Sequence, residues 1–408
     1  MQSHDNPTAL TAIPRSAVVA LSLAAFASGI SLRVTDALLP RLAQEFSVSI
    51  GSAASVITVF AVAYGLSQLF FGPMGDRFGK YLVIGLACAA CSLTALSCAL
   101  APNFPALLVA RTLAGATAAA IIPLSMAWIG DVIDYDQRQP VLARFLIGQI
   151  MGLSAGVMVG GFAAEHLGWQ VPFFAIAAMF VVISMVVLSV NRNLPAHARR
   201  VRHETGSAWA RMLSEFSQVL AVPWARVVLG TVFLEGMFLY GSFAFIVSHL
   251  HLVYGVPLSN AGMVVMLFGF GGLLFALGVA ALVRRLGEVG LARWGGSFVA
   301  LAFLTIAFAP SWWWAVPASF LAGLGFYMLH NTLQINATQM APERRGAAVS
   351  AFASCFFLGQ SVGVGINALL LARIGTTGIV TTGAVGVLCV AWNFGRLRAR
   401  RSASLLVV

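Results

Sequence analysis

Residues 72–80 read Gly72-Pro73-Met74-Gly75-Asp76-Arg77-Phe78-Gly79-Lys80, and they join two long apolar segments, 53–74 and 81–101. The three glycines permit tight backbone angles and close helix approach. A carboxylate such as Asp76 is favourable near the N-terminus of the helix that follows. The stretch therefore predicts a very short turn between two membrane-spanning helices, with Arg77 and Lys80 held on the cytoplasmic side.

The composition outside this turn is that of a membrane protein. Hydrophobic residues make up 60% of the 43.0 kDa chain, charged residues only 9%, and the mean hydropathy is +0.91. Too few polar residues remain to cover a soluble protein of this size, so most of the surface must face lipid.

Apolar runs long enough to cross a hydrocarbon core of about 30 Å as helices follow one another along the chain. We expect twelve spans, with the first six near 16–40, 53–74, 81–101, 105–128, 141–165 and 170–190, and the second six near 226–250, 259–283, 293–310, 312–336, 347–372 and 377–394. Residues 191–225 form the only long polar stretch, and within it Trp209 to Leu220 suits an amphipathic helix on the inner face.

Internal matches indicate that the chain is duplicated. Arg138, Gly152 and Gly156 recur 207 residues later as Arg345, Gly359 and Gly363. Repeated halves are typical of membrane transporters. We therefore expect an all-α membrane protein of two pseudo-symmetric six-helix bundles. Residues 1–190 form the N-terminal bundle, residues 191–225 a cytoplasmic linker, and residues 226–408 the C-terminal bundle with a short basic tail.

Basic residues fix the expected orientation, because Lys and Arg accumulate on the cytoplasmic side. With both termini inside, all but four of the 24 Lys and Arg residues are cytoplasmic; the exceptions are Arg33, Arg41, Arg111 and Arg373. We expect a multi-pass protein of the cell membrane, in bacteria the inner membrane. The net charge of +11 then reflects a basic rim facing anionic lipid and no nucleic-acid partner.

The sequence lacks signs of an enzyme, a metal site or a bound cofactor. Cys88 and Cys91 have the spacing of a redox or zinc pair, but they lie within a predicted span without a second ligand pair. No phosphate-binding loop and no nucleophile-and-base arrangement is visible. An ion gradient remains as the energy source.

The turn at 72–80 resembles the signature loop of the major facilitator superfamily, G-x-x-x-D-R-x-G-R/K. Further resemblance lies in Arg111-Thr112-Leu113-Ala114-Gly115, which is similar to the buried-arginine motif of that superfamily. Gly152, Gly156, Gly160 and Gly161 are similar to the helix-packing glycine motif of its exporters, although Val157 stands where those proteins carry proline. The resemblance implies the major facilitator fold and the drug–proton antiporter branch with twelve spans.

By the same resemblance, cytoplasmic loops latch one conformation through acid and base residues. The loops are the turn itself, Asp131 to Arg138, and Pro342 to Gly346. The latch residues that we expect are Gly72, Gly75, Asp76, Arg77, Gly79, Lys80, Arg138, Glu343 and Arg345.

Four charged residues fall inside predicted spans, where an unpaired charge costs about 3 kcal/mol or more. In the first span Phe26, Arg33 and Asp36 share one helical face, which we expect to line a central cavity. Asp36 pairs with Arg33 and is also within the expected reach of Arg111. This is either a permanent salt bridge between the first and fourth spans or a working site in which Asp36 accepts a proton.

Glu235 stands near the middle of the seventh span, the counterpart of the first, and no basic residue shares its helix face. It is either a proton carrier or a neutral hydrogen-bonding group. In the tenth span one face carries a polar wall or a packing seam. The predicted cavity residues outside the first span are Tyr64, Gln68, Tyr327, His330, Asn331, Gln334 and Gln360.

The expected mechanism is alternating access in a monomer, with protons entering through Asp36 or Glu235 and driving export of a small organic molecule. Uptake by symport is the alternative, and a transporter-like membrane sensor is a remote one. An apolar, aromatic cavity suits amphipathic drugs or metabolites, whereas Arg33 and Arg111 together suit an organic anion.

Overall fold

The computed structural model describes residues 15–133, 135–199 and 208–405, and its long elements are helices. They are α1 (Arg15–Glu45), α2 (Ile50–Phe78), α3 (Lys80–Ala99), α4 (Phe104–Val132), α5 (Tyr135–His166), α6 (Val171–Asn193), α7 (Ala208–Ala221), α8 (Pro223–Tyr254), α9 (Leu258–Phe308), α10 (Ala315–Gln339) and α11 (Arg345–Leu405). The expected linker is described as far as residue 199 and again from 208; residues 200–207 lie outside the described part.

Nine of the described helices, all except α7 and α10, are long and apolar enough to cross a membrane. α9 and α11 have 51 and 61 residues, and each contains one glycine with non-helical backbone angles, Gly287 and Gly375. A straight helix of 51 residues would extend for about 75 Å, more than twice the hydrocarbon core. The expected eighth and ninth spans lie on either side of Gly287, and the eleventh and twelfth on either side of Gly375.

The turn glycines recur at the interval of the sequence repeat. Gly79 has a φ of 93° and Gly287, 208 residues later, a φ of 60°. Gly168 has a φ of 100° and Gly375, 207 residues later, a φ of 63°. Positive φ strains other residues, so glycine is needed at the same two turns of each expected half.

A line of glycines on α5 packs directly on the backbone of α1. Gly148, Gly152, Gly156 and Gly160 are each four residues apart, and a Cβ on any of them would press on a carbonyl oxygen of α1. The carbonyls belong in turn to Ser22, Phe26, Ile30 and Val34, which are also four residues apart. The two helices therefore run side by side with their backbones in contact.

The same seam joins α11 to α8. A Cβ on Gly359 or Gly363 would press on the carbonyl oxygens of Phe233 and Met237. Each partner lies 207 residues beyond its counterpart in the first seam, Phe26 or Ile30. The interval thus recurs in contacts as well as in sequence.

Other glycines join α5 to α9 and α2 to α11. Gly161 packs on the carbonyl of Leu258 and not on α1, and a Cβ on Gly262 would lie 2.8 Å from the oxygen of Val157. A Cβ on Gly51 would lie 2.5 Å from the oxygen of Ala368. These contacts lie at the ends of the helices that we expect to face outward.

We expect Gly152→Leu to destabilise the protein by about 1–3 kcal/mol, because the new side chain has no space against the Phe26 carbonyl. The matched control is Gly365→Leu, since a Cβ on Gly365 meets nothing within 4 Å. Thermal unfolding of both variants in detergent measures the difference. Equal unfolding temperatures for the two would contradict the packing account.

Candidate substrate and proton site

Arg33 and Asp36 form a buried ion pair on α1. Nη1 of Arg33 donates to Oδ2 of Asp36 at 2.9 Å, and the two side chains are 3% and 1% exposed. Oδ1 of Asp36 has no hydrogen-bond partner among the described residues. Cζ of Arg33 lies 3.6 Å from the ring centroid of Tyr240 and 5.3 Å from that of Phe243, both on α8. Arg33 therefore links the first helix of each expected half.

Arg111 of α4 is also buried but does not share Asp36, contrary to the expectation above. Nη1 donates to the carbonyl of Ser31 at 3.2 Å, Nη2 to Oγ1 of Thr35 at 3.4 Å, and Nε to the carbonyl of Val56 at 3.4 Å. Because neutral acceptors on α1 and α2 take its donors, Arg111 ties three helices together without a carboxylate in direct contact.

Glu235 of α8 is fully buried and pairs with His330 of α10. The two atoms, Oε2 of Glu235 and Nδ1 of His330, are 2.9 Å apart, while Oε1 of Glu235 has no partner among the described residues. Glu235 precedes a π-helical turn, Gly236–Tyr240, a distortion that is frequent at functional sites. The sequence placed both residues inside spans but did not predict this contact, because no pattern within one helix reveals what another helix contributes.

Aromatic rings connect the two buried acids. The ring of His330 lies 4.9 Å from that of Phe326 and 4.8 Å from that of Phe356. The ring of Tyr240 lies 5.2 Å from Phe326 and 5.4 Å from Phe356. A continuous series of contacts therefore runs from Arg33 through Tyr240 to His330 and Glu235. The offset of 207 between Arg33 and Tyr240 is a sequence signal that could have identified this pair.

The cavity beside Arg33 is too small for an organic substrate in this conformation. It measures about 10 Å³ and is lined by Arg33, Ser154, Tyr240, Phe268 and Tyr327, among others. Such a volume holds about one water molecule. The expected wide cavity is thus absent at this level, because aromatic side chains fill the space between α1, α8 and α9.

Several other predicted cavity residues are buried with unused polar atoms. Oε1 of Gln68, and both amide atoms of Gln360, have no partner among the described residues. The backbone nitrogen of Gln360 would lie 3.0 Å from a Cβ on Gly236, next to Glu235. Buried polar groups are normally satisfied, so these atoms mark a place where a ligand, water or proton can bind.

The remaining predicted cavity residues are spread along three helices. The ring of Tyr64 on α2 lies 4.3 Å from Phe357 on α11. Asn331 and Gln334 follow His330 on α10 and are half-buried, as is Phe26 on α1. The structure brings Tyr327 beside Arg33 and His330 beside Glu235, whereas it gives Asn331 and Gln334 no hydrogen bond to each other.

At the predicted cytoplasmic turn, Lys80 bridges two acids. Its Nζ lies 2.6 Å from Oδ1 of Asp76 and 2.8 Å from Oδ2 of Asp131 on α4. In the other half Glu288 follows Gly287, as Lys80 follows Gly79, and its Oε2 accepts from Nε of Arg398 at 2.7 Å. The position after the turn glycine is therefore charged in both halves, but with opposite sign.

The other expected latch residues do not join this network. Arg77 lies over the ring of Phe78 at 5.3 Å, and Arg138 donates to the carbonyl of Ile133. Glu343 and Arg345 are exposed, without an ion pair between them. A Cβ on Gly75 would press on Leu124 of α4, whereas one on Gly72 would meet nothing within 4 Å.

We expect Arg111→Lys to lower stability by about 1–3 kcal/mol, since an ammonium group cannot reach all three acceptors and leaves buried oxygens unsatisfied. Arg144→Lys, at an exposed position on α5, is the control. The measurement is the unfolding temperature in detergent. A lysine variant as stable as the control would show that the three bonds do not hold the helices.

The chain is similar to known transporters over most of its length. The sequence profile of the Major Facilitator Superfamily matches residues 21–402. YceJ of Bacillus subtilis, an uncharacterized MFS-type transporter, is 24% identical over 360 residues, 87% of this chain and 89% of the relative. A bicyclomycin resistance protein homolog of Haemophilus influenzae is 25% identical over 330 residues, 78% of this chain and 79% of the relative.

The fold is that of solved transporters as well. A crystal structure of the nucleoside transporter NupG matches with a TM-score of 0.76 at 14% identity, covering 93% of this chain and 98% of the other. At that identity the match establishes the fold alone. On the family profile and this fold, the chain belongs to the Major Facilitator Superfamily and is a multi-pass membrane transporter of that family.

Proposed function

We propose that the chain exports small organic molecules in exchange for protons, by alternating access between two six-helix bundles of residues 1–190 and 226–408. The linker of residues 191–225 connects them on the cytoplasmic side. In this proposal α9 and α11 each cross the membrane twice, and α10 crosses once, which brings the number of crossings to twelve.

The observation that supports proton coupling is the pair of half-satisfied acids. Asp36 and Glu235 are each held by one cationic or hydrogen-bonding partner through one oxygen, and the other oxygen of each is unused. A charged carboxylate is costly in a low-dielectric interior, and a proton removes that charge. Protonation would weaken the hold on Arg33 or His330 and leave these side chains able to move.

Movement of Arg33 would act on the join between the bundles, because its guanidinium lies on Tyr240 of the other bundle. At the expected outer end, Oε2 of Glu165 on α5 accepts from both the backbone nitrogen and the hydroxyl of Ser259 on α9. Together with the contacts of Gly161 and Gly51, this bond holds the outer ends closed. Alternating access requires these contacts to break while contacts at the inner ends form.

Export is favoured over uptake by two observations. One relative is a homolog of a bicyclomycin resistance protein, and resistance of this kind fits removal of a drug from the cell. The glycine seam between α1 and α5 has the spacing of the motif that exporters of the family carry. Uptake by symport would use the same acids with the substrate entering from the opposite side.

In inside-out vesicles with an acidic lumen, we expect accumulation of at least one compound from a panel of drugs and small metabolites. Glu235→Gln should reduce accumulation to the level seen without a pH gradient, because the amide cannot exchange a proton. Asp36→Asn should do the same. Glu45→Gln, at an exposed acid on α1, is the control and should transport normally.

Binding is measured separately, by the thermal shift that the accumulated compound produces in each purified variant. Retained binding together with lost gradient dependence supports proton coupling through these acids. Full gradient-driven accumulation by both variants would contradict it, and accumulation only in right-side-out vesicles under an inward proton gradient would establish symport instead.

A further inference from the structure

A groove of about 680 Å³ lies between α8 and the part of α11 that follows Gly375. Leu234 and Phe238 line it from α8, and Val385, Cys389 and Asn393 are among the residues that line it from α11. Leu234 is 39% exposed and Val385 is 54% exposed. Because these two helices span the membrane, the groove opens toward lipid and not toward the buried acids.

On α8 the groove continues toward one membrane surface and ends at an arginine. Arg226, Gly230, Leu234 and Phe238 are four residues apart and therefore share one helix face. Arg226 and Gly230 are exposed, and a Cβ on Gly230 would meet nothing within 4 Å. The absent side chain thus leaves open space between Arg226 and Leu234.

On α11 the facing wall ends in the same way. Val385, Cys389, Asn393 and Arg396 are exposed and succeed one another at helical spacing, and Arg400 follows one turn later. Arg226, Arg396 and Arg400 form no ion pair with any residue in the described ranges. The groove is consequently apolar along its length and positively charged at one end.

The level of these arginines matches a membrane surface. Trp224 precedes Arg226 by two residues, and its ring lies 5.9 Å from Phe394 with Cζ of Arg401 4.5 Å from its centroid. Tryptophan is enriched where the hydrocarbon core meets the headgroups. From Arg226 to Phe238 a helix rises about 18 Å, a little more than half of a hydrocarbon core of about 30 Å. The groove therefore has the length of one leaflet.

We propose that this groove binds one anionic phospholipid. The phosphate lies between Arg226 and Arg396, and an acyl chain extends along Leu234, Phe238 and Val385. Two arginines favour a headgroup with net negative charge over a zwitterionic one, whose ammonium group they repel. The ligand also touches the helix that carries Glu235, since Leu234 is its direct neighbour.

The test uses the purified, full-length protein in detergent with an equimolar mixture of phosphatidylglycerol and phosphatidylcholine, read by intact-protein mass spectrometry. We expect the wild-type protein to retain one phosphatidylglycerol in preference to phosphatidylcholine. Arg226→Gln combined with Arg396→Gln should lower that preference about 30-fold, at about fivefold for each arginine. Arg144→Gln combined with Arg284→Gln removes two exposed arginines elsewhere and should change it little.

A second variant tests the acyl chain. Gly230→Leu fills the groove and should reduce retention of both lipids, whereas Gly365→Leu, also in open space, should not. Unfolding temperatures equal to that of the wild type show that the variants are folded. Equal retention of the two lipids by the wild-type protein would overturn the proposal, and so would equal losses in the arginine variant and its control. Displacement of the lipid by excess glycerol phosphate would show that the headgroup alone binds.

Discussion

Charge buried inside a membrane protein must be matched by groups that the protein itself supplies, because lipid offers none. Arg33, Asp36, Arg111 and Glu235 are all nearly inaccessible, and their partners come from α1, α2, α8 and α10. Each pairing therefore fixes one helix against another. It also limits how the helices can move, since separation leaves a charge unmatched unless a proton or a ligand replaces the partner.

Close helix packing makes these pairings possible. With glycine at every fourth position, α5 brings its backbone against α1, and α11 does the same against α8. The helices α1 and α8 are thereby held at equivalent places, and Arg33 meets Tyr240, the residue 207 positions further along the chain. The interaction that joins the expected bundles is thus made between equivalent positions of the repeat, with a cation on one side and an aromatic ring on the other.

The sequence predicted those features that depend on local rules. The span expected at 81–101 is the helix Lys80–Ala99, and the amphipathic segment expected at Trp209 to Leu220 lies within Ala208–Ala221. Turn glycines and apolar length decide such boundaries within a few residues. The sequence also placed Glu235 and His330 within spans, because their polarity is conspicuous in an apolar background.

Contacts between distant helices could not be derived in the same way. The pair of Glu235 and His330 spans 95 residues, and the donors of Arg111 reach carbonyl oxygens, which every residue has. The expected sharing of Asp36 by two arginines failed for this reason, since backbone acceptors compete with a carboxylate and leave no trace in side-chain chemistry. The closed cavity beside Arg33 likewise depends on how aromatic rings interdigitate and not on which residues are present.

The central claim is that a buried carboxylate exchanges a proton within this framework, and infrared difference spectroscopy of the purified protein tests it without a known substrate. On acidification the account predicts a carbonyl band of a protonated carboxylic acid that is present in the wild-type protein and missing in the Glu235→Gln variant. An identical band in both proteins, or no such band in the wild type, would contradict the assignment of Glu235 as a proton carrier.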